Sequence, residues 1–279
     1  KAGISKRLIN LAQALTGHYT GGLAIVAVIA ATFFASISGS GPATMAAVGA
    51  LIIPAMMKSG YRGGMAGGLL ATAGGIGIIL PPSIAYIVYG VIAEVSIGKL
   101  FIAGIVPGIL MALILAICSY FIAKKEKIPT LPKASRQEKL QAFKEAVWGL
   151  MAPIIILGGI YSGLFTATES AVVVVFYGLF VGLFIYKEIK VKDLPALLLE
   201  SAKTTAMIML IIASASTFAW LITVEGIAND LANALMSFAN NKYTMLLVIN
   251  IILLIAGMFV DAISAYYIFL PIFLPIIAS

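Results

Sequence analysis

The sequence predicts an all-α, polytopic integral membrane protein that contains re-entrant helical hairpins and broken helices. Three observations carry that prediction. Of 279 residues, 62% are hydrophobic and 10% are charged, with a mean hydropathy of +1.10, whereas soluble domains hold about 25% charged residues. The apolar residues fall into runs long enough to cross a bilayer, which takes about 20 residues per helix. Two of these runs are too long for one straight helix, and both are interrupted by glycine, serine and proline. The same composition excludes a soluble enzyme, a disordered chain, a collagen and a coiled coil.

Long apolar windows cover residues 21–58, 63–92, 100–123, 146–165, 171–186, 204–224 and 244–279. The segment 124–144 carries seven Lys or Arg (Lys124, Lys125, Lys127, Lys133, Arg136, Lys139, Lys144) against Glu126 and Glu138. Short basic loops stay on the cytoplasmic side. Lys187, Lys190 and Lys192 follow Tyr186, so the two runs between these basic segments form an out-and-back pair turning near 166–169. The net charge of +7 is thus an orientation signal; the partner is the lipid bilayer and no nucleic acid is expected. Residues 226–238, with Asp230 and Asn233 among Leu231, Leu235 and Met236, read as a short interfacial amphipathic helix or a plain loop.

One cysteine, Cys118, excludes an internal disulfide, and one histidine, His18, excludes a multi-histidine metal cage. Cys118 reads as a small packing hydrophobe, His18 as a juxtamembrane residue, and Trp148 and Trp220 as interfacial or packing aromatics. The sequence starts at Lys1 and its last residues, 271–279, are still apolar. The expectation is a piece of a longer protein.

The interruptions hold the chemistry. An unpaired backbone N–H or C=O in hydrocarbon costs several kcal/mol, so non-helical backbone persists there only when buried in protein or lining a polar cavity. Residues 36–42, Ser36-Ile37-Ser38-Gly39-Ser40-Gly41-Pro42, have the composition of a hairpin tip: small residues allow close approach, Ser38 and Ser40 supply oxygens, and Pro42 suits the first turn of a following helix. Residues 74–83 have the same character, with Gly74, Gly75, Gly77, Pro81, Pro82 and Ser83. Half-helix N-termini attract anions and freed carbonyls coordinate cations, which is how secondary transporters build midplane sites. The expectation is that the two breaks converge. The alternative for each is a glycine-rich helix contact or a proline kink.

Asp261, in the run Gly257-Met258-Phe259-Val260-Asp261-Ala262-Ile263-Ser264, is the outstanding ionisable residue of the apolar runs; such residues are functional or paired. It reads as a helix cap at a second hairpin tip, a role compatible with lying beside an ion. Glu169 reads as half of a capping box with Thr166, and Glu94 as interfacial. Ser40 to Pro54 and Asp261 to Pro275 both span fourteen positions, the trace expected of inverted repeats. The organisation that follows is a first repeat over 1–123 (hairpin near 21–58, broken helix 63–92, helix 100–123), a basic connection over 124–145, and the start of a second repeat over 146–279 with its hairpin near 244–279. On that offset the partner of 74–83 falls about sixteen residues beyond Ser279.

At these motifs the chain resembles the large membrane subunit of the tripartite ATP-independent periplasmic (TRAP) transporters. The matching runs are Ile37-Ser38-Gly39-Ser40-Gly41-Pro42-Ala43-Thr44, Ile53-Pro54-Ala55-Met56 with Gly60-Tyr61, Ile79-Leu80-Pro81-Pro82-Ser83-Ile84, Ser96-Ile97-Gly98 with Leu100-Phe101, Ala103-Gly104-Ile105-Val106-Pro107-Gly108, and Phe165-Thr166-Ala167-Thr168-Glu169. The opening Gly3-Ile4-Ser5-Lys6-Arg7 and the serine-glycine tip look most similar to the sialic acid members, though C4-dicarboxylate members share much of the pattern. The family's N-terminal helices and the break after its second hairpin are absent from this chain.

The resemblance implies a multi-pass protein of the bacterial inner membrane that imports organic acids with sodium as coupling ion. A periplasmic substrate-binding protein would supply it and a small four-helix membrane subunit, separate or fused, would brace it. Family members are similar to elevator transporters. Sodium would lie at Ser38, Gly39, Ser40, Gly74, Gly77 and Asp261, and the carboxylate substrate at Ser40, Gly41, Ser83, Asp261 and Ser264. No catalytic residue is expected. An intramembrane protease lacks a base beside its serines, and an ATP-driven pump lacks a G-x-x-x-x-G-K-[ST] run. A proton-coupled organic-anion carrier, using Asp261 or Glu169, is the remaining rival.

Overall fold

The computed structural model describes residues 3–227 and 241–278, which contain helices and no strand. The expected helix at 226–238 lies almost wholly outside the described residues. Hydrocarbon dictates the rest, because a lone helix pairs its own backbone groups and a lone strand does not. The helices are α1 (Ile4–Thr16), α2 (Gly22–Ser38), α3 (Gly41–Lys58), α4 (Gly63–Gly74), α5 (Ile76–Ile79), α6 (Ile84–Ile92), α7 (Ile97–Lys125), α8 (Arg136–Tyr161), α9 (Ala167–Phe180), α10 (Leu194–Val224), α11 (Lys242–Ala256) and α12 (Ala262–Ala278). Among the described residues five helices are long and apolar enough to cross a membrane, or six if the pair Gly63–Ile79 and Ile84–Ile92, bent by 45°, counts as one broken span. The chain is therefore an all-α polytopic membrane protein.

Caps set the helix ends. Thr166 and Glu169 form the expected capping box at α9, both reciprocal bonds being present. A second box, Ser135 with Glu138, starts α8 inside the basic segment, so the stretch from Arg136 to Lys144 is helical. Likewise α10 begins at Leu194, ten residues before the apolar window, with a proline in its first turn. Charged helix ends of this kind extend past the hydrocarbon, which hydropathy alone does not register.

The chain divides into two compact units, one of Lys1–Ile87 with Ser96–Val191 and one of Val88–Val95 with Lys192–Ser279. In the first, the buried centre is the 17-residue helix α2, where Ala24, Val26, Ala27, Ala30, Ala31 and Ala35 are fully enclosed. It packs against α1, α3, α4, α5, α7 and α8. The long spans have the opposite character: Val106 on α7 is 72% exposed, and Cys118, which the sequence places in packing, lies on that exposed side too. An apolar outer surface is what lipid solvates, so outward hydrophobes here need no partner.

Helix α1, which no apolar window predicted, is tied to α8 and to the end of α9, itself continued by a π turn at Val181–Ile185. The Arg7 guanidinium bonds the Glu188 carboxylate at 2.6 Å and lies 3.7 Å from the Tyr186 ring centroid. The Tyr186 hydroxyl in turn donates to the Glu145 carbonyl at 2.6 Å, and Tyr177 donates to the Trp148 carbonyl at 2.7 Å. This clamp fixes the helix that leads into the first hairpin. In the second unit, α12 packs on α10 and α11 around Ile222, Ile249, Ile272 and Phe273, and Tyr89 meets Tyr266 edge-on at 5.6 Å.

Between α1 and α2 the chain turns at Gly21, with φ +78°, and Gly22, where a Cβ would lie 2.1 Å from the Gly17 carbonyl oxygen. That oxygen also accepts from the Leu131 amide. Gly22→Ala is expected to destabilise the protein by about 1–3 kcal/mol through overpacking against backbone, read as a lowered unfolding midpoint of the detergent-solubilised protein.

Candidate functional site

The first tip is built by two residues in different conformations. Helix α2 ends at Gly39 in the left-handed region (φ 62°), and its amide still bonds the Ala35 carbonyl. Glycine is suited to that conformation. Ser40 is extended and caps α3, its hydroxyl accepting from the Ala43 amide at 3.5 Å, while Pro42 occupies the first turn, where no amide donor is needed. The hairpin α2–α3 is thus joined by Gly39 and Ser40 alone.

Hydroxyls fill the space between the half-helices. Ser38 Oγ and Thr44 Oγ1 lie 3.0 Å apart, and Thr44 donates to the Ser40 carbonyl at 2.8 Å. Ser38 Oγ also lies 3.3 Å from the Ser40 amide and carbonyl. Thr44 is completely buried. It is the residue that the sequence reading missed, and the signal for it was its place one helical turn beyond Ser40.

The second break is the stretch from Gly74 to Ser83. Helix α4 stops at Gly74, α5 makes a single turn, and Leu80 is extended. Ser83 is fully buried; its hydroxyl donates to the Ile78 carbonyl at 2.5 Å and lies 3.4 Å from the Tyr86 amide. Its side chain therefore closes the break by joining its two sides.

The two breaks converge, as the sequence reading expected. The Ile84 amide, released at the start of α6, donates to the Gly39 carbonyl at 3.1 Å. A Cβ on Gly77 would lie 2.9 Å from Thr44 Oγ1 and 3.0 Å from the Ser40 carbonyl oxygen. Gly41 and Gly74 meet in the same way, a Cβ on either lying 3.0 Å from the other's carbonyl oxygen. Of the predicted residues, Ser38, Gly39, Ser40, Gly41, Gly74, Gly77 and Ser83 are brought together in this one unit. Beside them an apolar cavity of about 140 Å³ reaches from Ser38, Gly39, Pro82 and Ser83 to Ile156, Ile160 and Ala171.

Asp261 and Ser264 belong to the other unit. Asp261 is exposed and stands before α12, where its carboxylate accepts from the Ile263 amide at 3.0 Å, the Ser264 amide at 3.4 Å and the Ser264 hydroxyl. It holds the same post at α12 that Ser40 holds at α3.

Chemically, the first cluster offers hydroxyl and carbonyl oxygens with the N-terminus of α3 beside them. Among the described residues no group of three or more His, Cys, Asp and Glu side chains could hold a metal ion. A hard cation bound by neutral oxygens, or an anion at the helix N-terminus, fits such a donor set.

Residues 1–279 match the protein family described as tripartite ATP-independent periplasmic transporter, DctM component. The chain is 47% identical to the C4-dicarboxylate TRAP transporter large permease protein DctM of Pseudomonas aeruginosa, over 98% of this chain and 64% of that protein. It is 42% identical to the sialic acid TRAP transporter permease protein SiaT of Haemophilus influenzae, over 98% and 44%, and 43% identical to the isethionate TRAP transporter permease protein DctMQ of Oleidesulfovibrio alaskensis, over 99% and 44%. The chain thus spans somewhat under two thirds of the DctM relative and under half of the two longer ones.

Thr44→Val keeps the shape and removes the hydroxyl that joins Ser38 to the Ser40 carbonyl. The expected loss is about 1–3 kcal/mol for stranded buried partners, read as a lower unfolding midpoint, with Thr44→Ser restoring most of it.

Proposed function

Because the chain belongs to the DctM family of tripartite ATP-independent periplasmic transporters, we propose that it carries the first hairpin, the first broken helix and the second hairpin of a large permease subunit that imports organic acids with sodium. The observation that carries this reading is the convergence of two broken segments on the oxygens of Ser38, Ser40 and Thr44. These oxygens are neutral, so they suit an alkali cation and offer no site for a transferable proton. Sodium would use Ser38, Gly39, Ser40, Gly74 and Gly77, with Thr44 added to the set, and Asp261 would serve the second tip.

In the first unit the acid substrate would meet Ser40 and Gly41 at the N-terminus of α3; Asp261 and Ser264 at the start of α12 are a candidate ligand contact of the second unit by itself. Relatives named for C4-dicarboxylates and for sialic acid support the class of carboxylated substrate. The family description supports a periplasmic partner, and the length of the DctMQ relative leaves room for a fused membrane subunit. Transport in an elevator manner requires both tips to travel with their ligands through the bacterial inner membrane. A proton-coupled carrier is the second reading, favoured by one observation, the exposed carboxylate of Asp261.

The test is uptake by proteoliposomes holding the complete complex and its binding protein. Replacing sodium by potassium should abolish uptake of the acid, while a pH gradient without sodium should drive none; the reverse result selects the proton carrier. Ser40→Ala and Asp261→Ala should each lower the initial rate at least about tenfold, corresponding to about 1.4 kcal/mol, at unchanged expression. Wild-type rates in both would reject the site.

A further inference from the structure

The turn between α3 and α4 and the basic end of α7 enclose an open groove of about 610 Å³, lined by Gly60, Arg62, Ile122, Lys125 and Glu126. Arg62 Nε approaches Glu126 Oε1 at 3.7 Å, but the Arg62 side chain is 83% exposed. An ion pair this long and this wet contributes little. Arg62 and Lys125 thus share the groove with the carboxylate of Glu126, and Lys58 at the end of α3 with Lys124 and Lys127 on either side of Lys125 and Glu126 add three further cations to the flanking sequence.

Helix stability explains only part of this charge. Lysines in the last turns of α3 and α7 complement the negative ends of those helices. Arg62 does the opposite: it is the N-cap of α4, with no side-chain capping bond, and a cation there faces the positive end of the helix. An anion in the groove would offset that repulsion. The groove also opens onto an apolar track, since Ile122 lines it and Phe121, Ile117, Leu113 and Leu110 continue along exposed α7.

We propose that this groove seats the phosphate of an anionic phospholipid, held by Arg62 and Lys125, with an acyl chain lying along the outer face of α7. A divergent basic rim above an apolar track fits a molecule that is anionic at one end and apolar at the other. A free phosphate would use the rim alone, and a soluble acidic protein would leave the track bare.

The test measures lipid retention by native mass spectrometry, with the unfolding midpoint in parallel, on the complete permease complex. Phosphatidylglycerol, phosphatidylcholine and inorganic phosphate are added in separate arms. Phosphatidylglycerol should bind and stabilise, and the other two should not. Removing a juxtamembrane cation weakens anionic lipid binding by about 1 kcal/mol, or about fivefold, so Arg62→Ala/Lys125→Ala should lower retention about 25-fold. Lys133→Ala/Lys139→Ala, which removes equal charge elsewhere in the basic segment, should change it by less than about twofold. The milder Lys125→Gln should give about fivefold, and Arg62→Lys/Lys125→Arg should retain binding. Equal losses in both alanine pairs, equal retention of the two lipids, or stabilisation by phosphate alone would overturn the proposal.

Discussion

A backbone amide or carbonyl in hydrocarbon must find a partner inside the protein, and the first unit of this chain is arranged around that demand. Two segments leave the helical ladder, and they meet at those points: the Ile84 amide of one bonds the Gly39 carbonyl of the other, while Thr44 bonds the Ser40 carbonyl within the first tip, beside Gly77 of the second. A single broken helix in lipid would strand several such groups at several kcal/mol each. Two broken helices side by side strand few, and the oxygens still offered to a ligand are those that the pairing holds in place.

That pairing requires contact closer than side chains permit. Gly41 against Gly74 and Gly77 against Thr44 are contacts at which a methyl group would sit about 3 Å from oxygen. The glycines of both breaks therefore form the surface by which one break recognises the other, beyond any freedom they confer on the chain. The same demand explains why the buried centre is α2. A helix whose tip is packed inside its unit needs walls on all sides, whereas α7 and α10, long and apolar enough to cross a membrane, can give their outer faces to lipid.

The fold class, the hairpin and the break were legible because glycine, serine and proline interrupting an apolar run have few other uses in a membrane. The capping box at Thr166 was legible because its two partners lie three residues apart. Thr44 was harder to find, since its place one turn beyond Ser40 gains meaning only when the structure sets its hydroxyl against Ser38 and Gly77. Helix α1 and its Arg7 clamp escaped for a related reason: Arg7 and Glu188 are 181 positions apart, and an amphipathic helix of 13 residues falls below any spanning window. The starts of α8 and α10 escaped because charged first turns belong to helices that outrun the hydrocarbon.

The two tips put different chemistry at the same post. Ser40 caps α3 with a neutral hydroxyl, while Asp261 meets the first amides of α12 with a carboxylate. A carboxylate neutralises the positive end of its helix, and a hydroxyl leaves most of that field in place. Under the proposed uptake of organic acids, an incoming carboxylate would then be drawn to α3 more strongly than to α12, where it meets like charge. Asp261 is better matched to a cation, and a cation bound there would remove the very charge that repels the acid. Coupling of ion and acid would follow from electrostatics at one helix end, without a titratable group at the first tip.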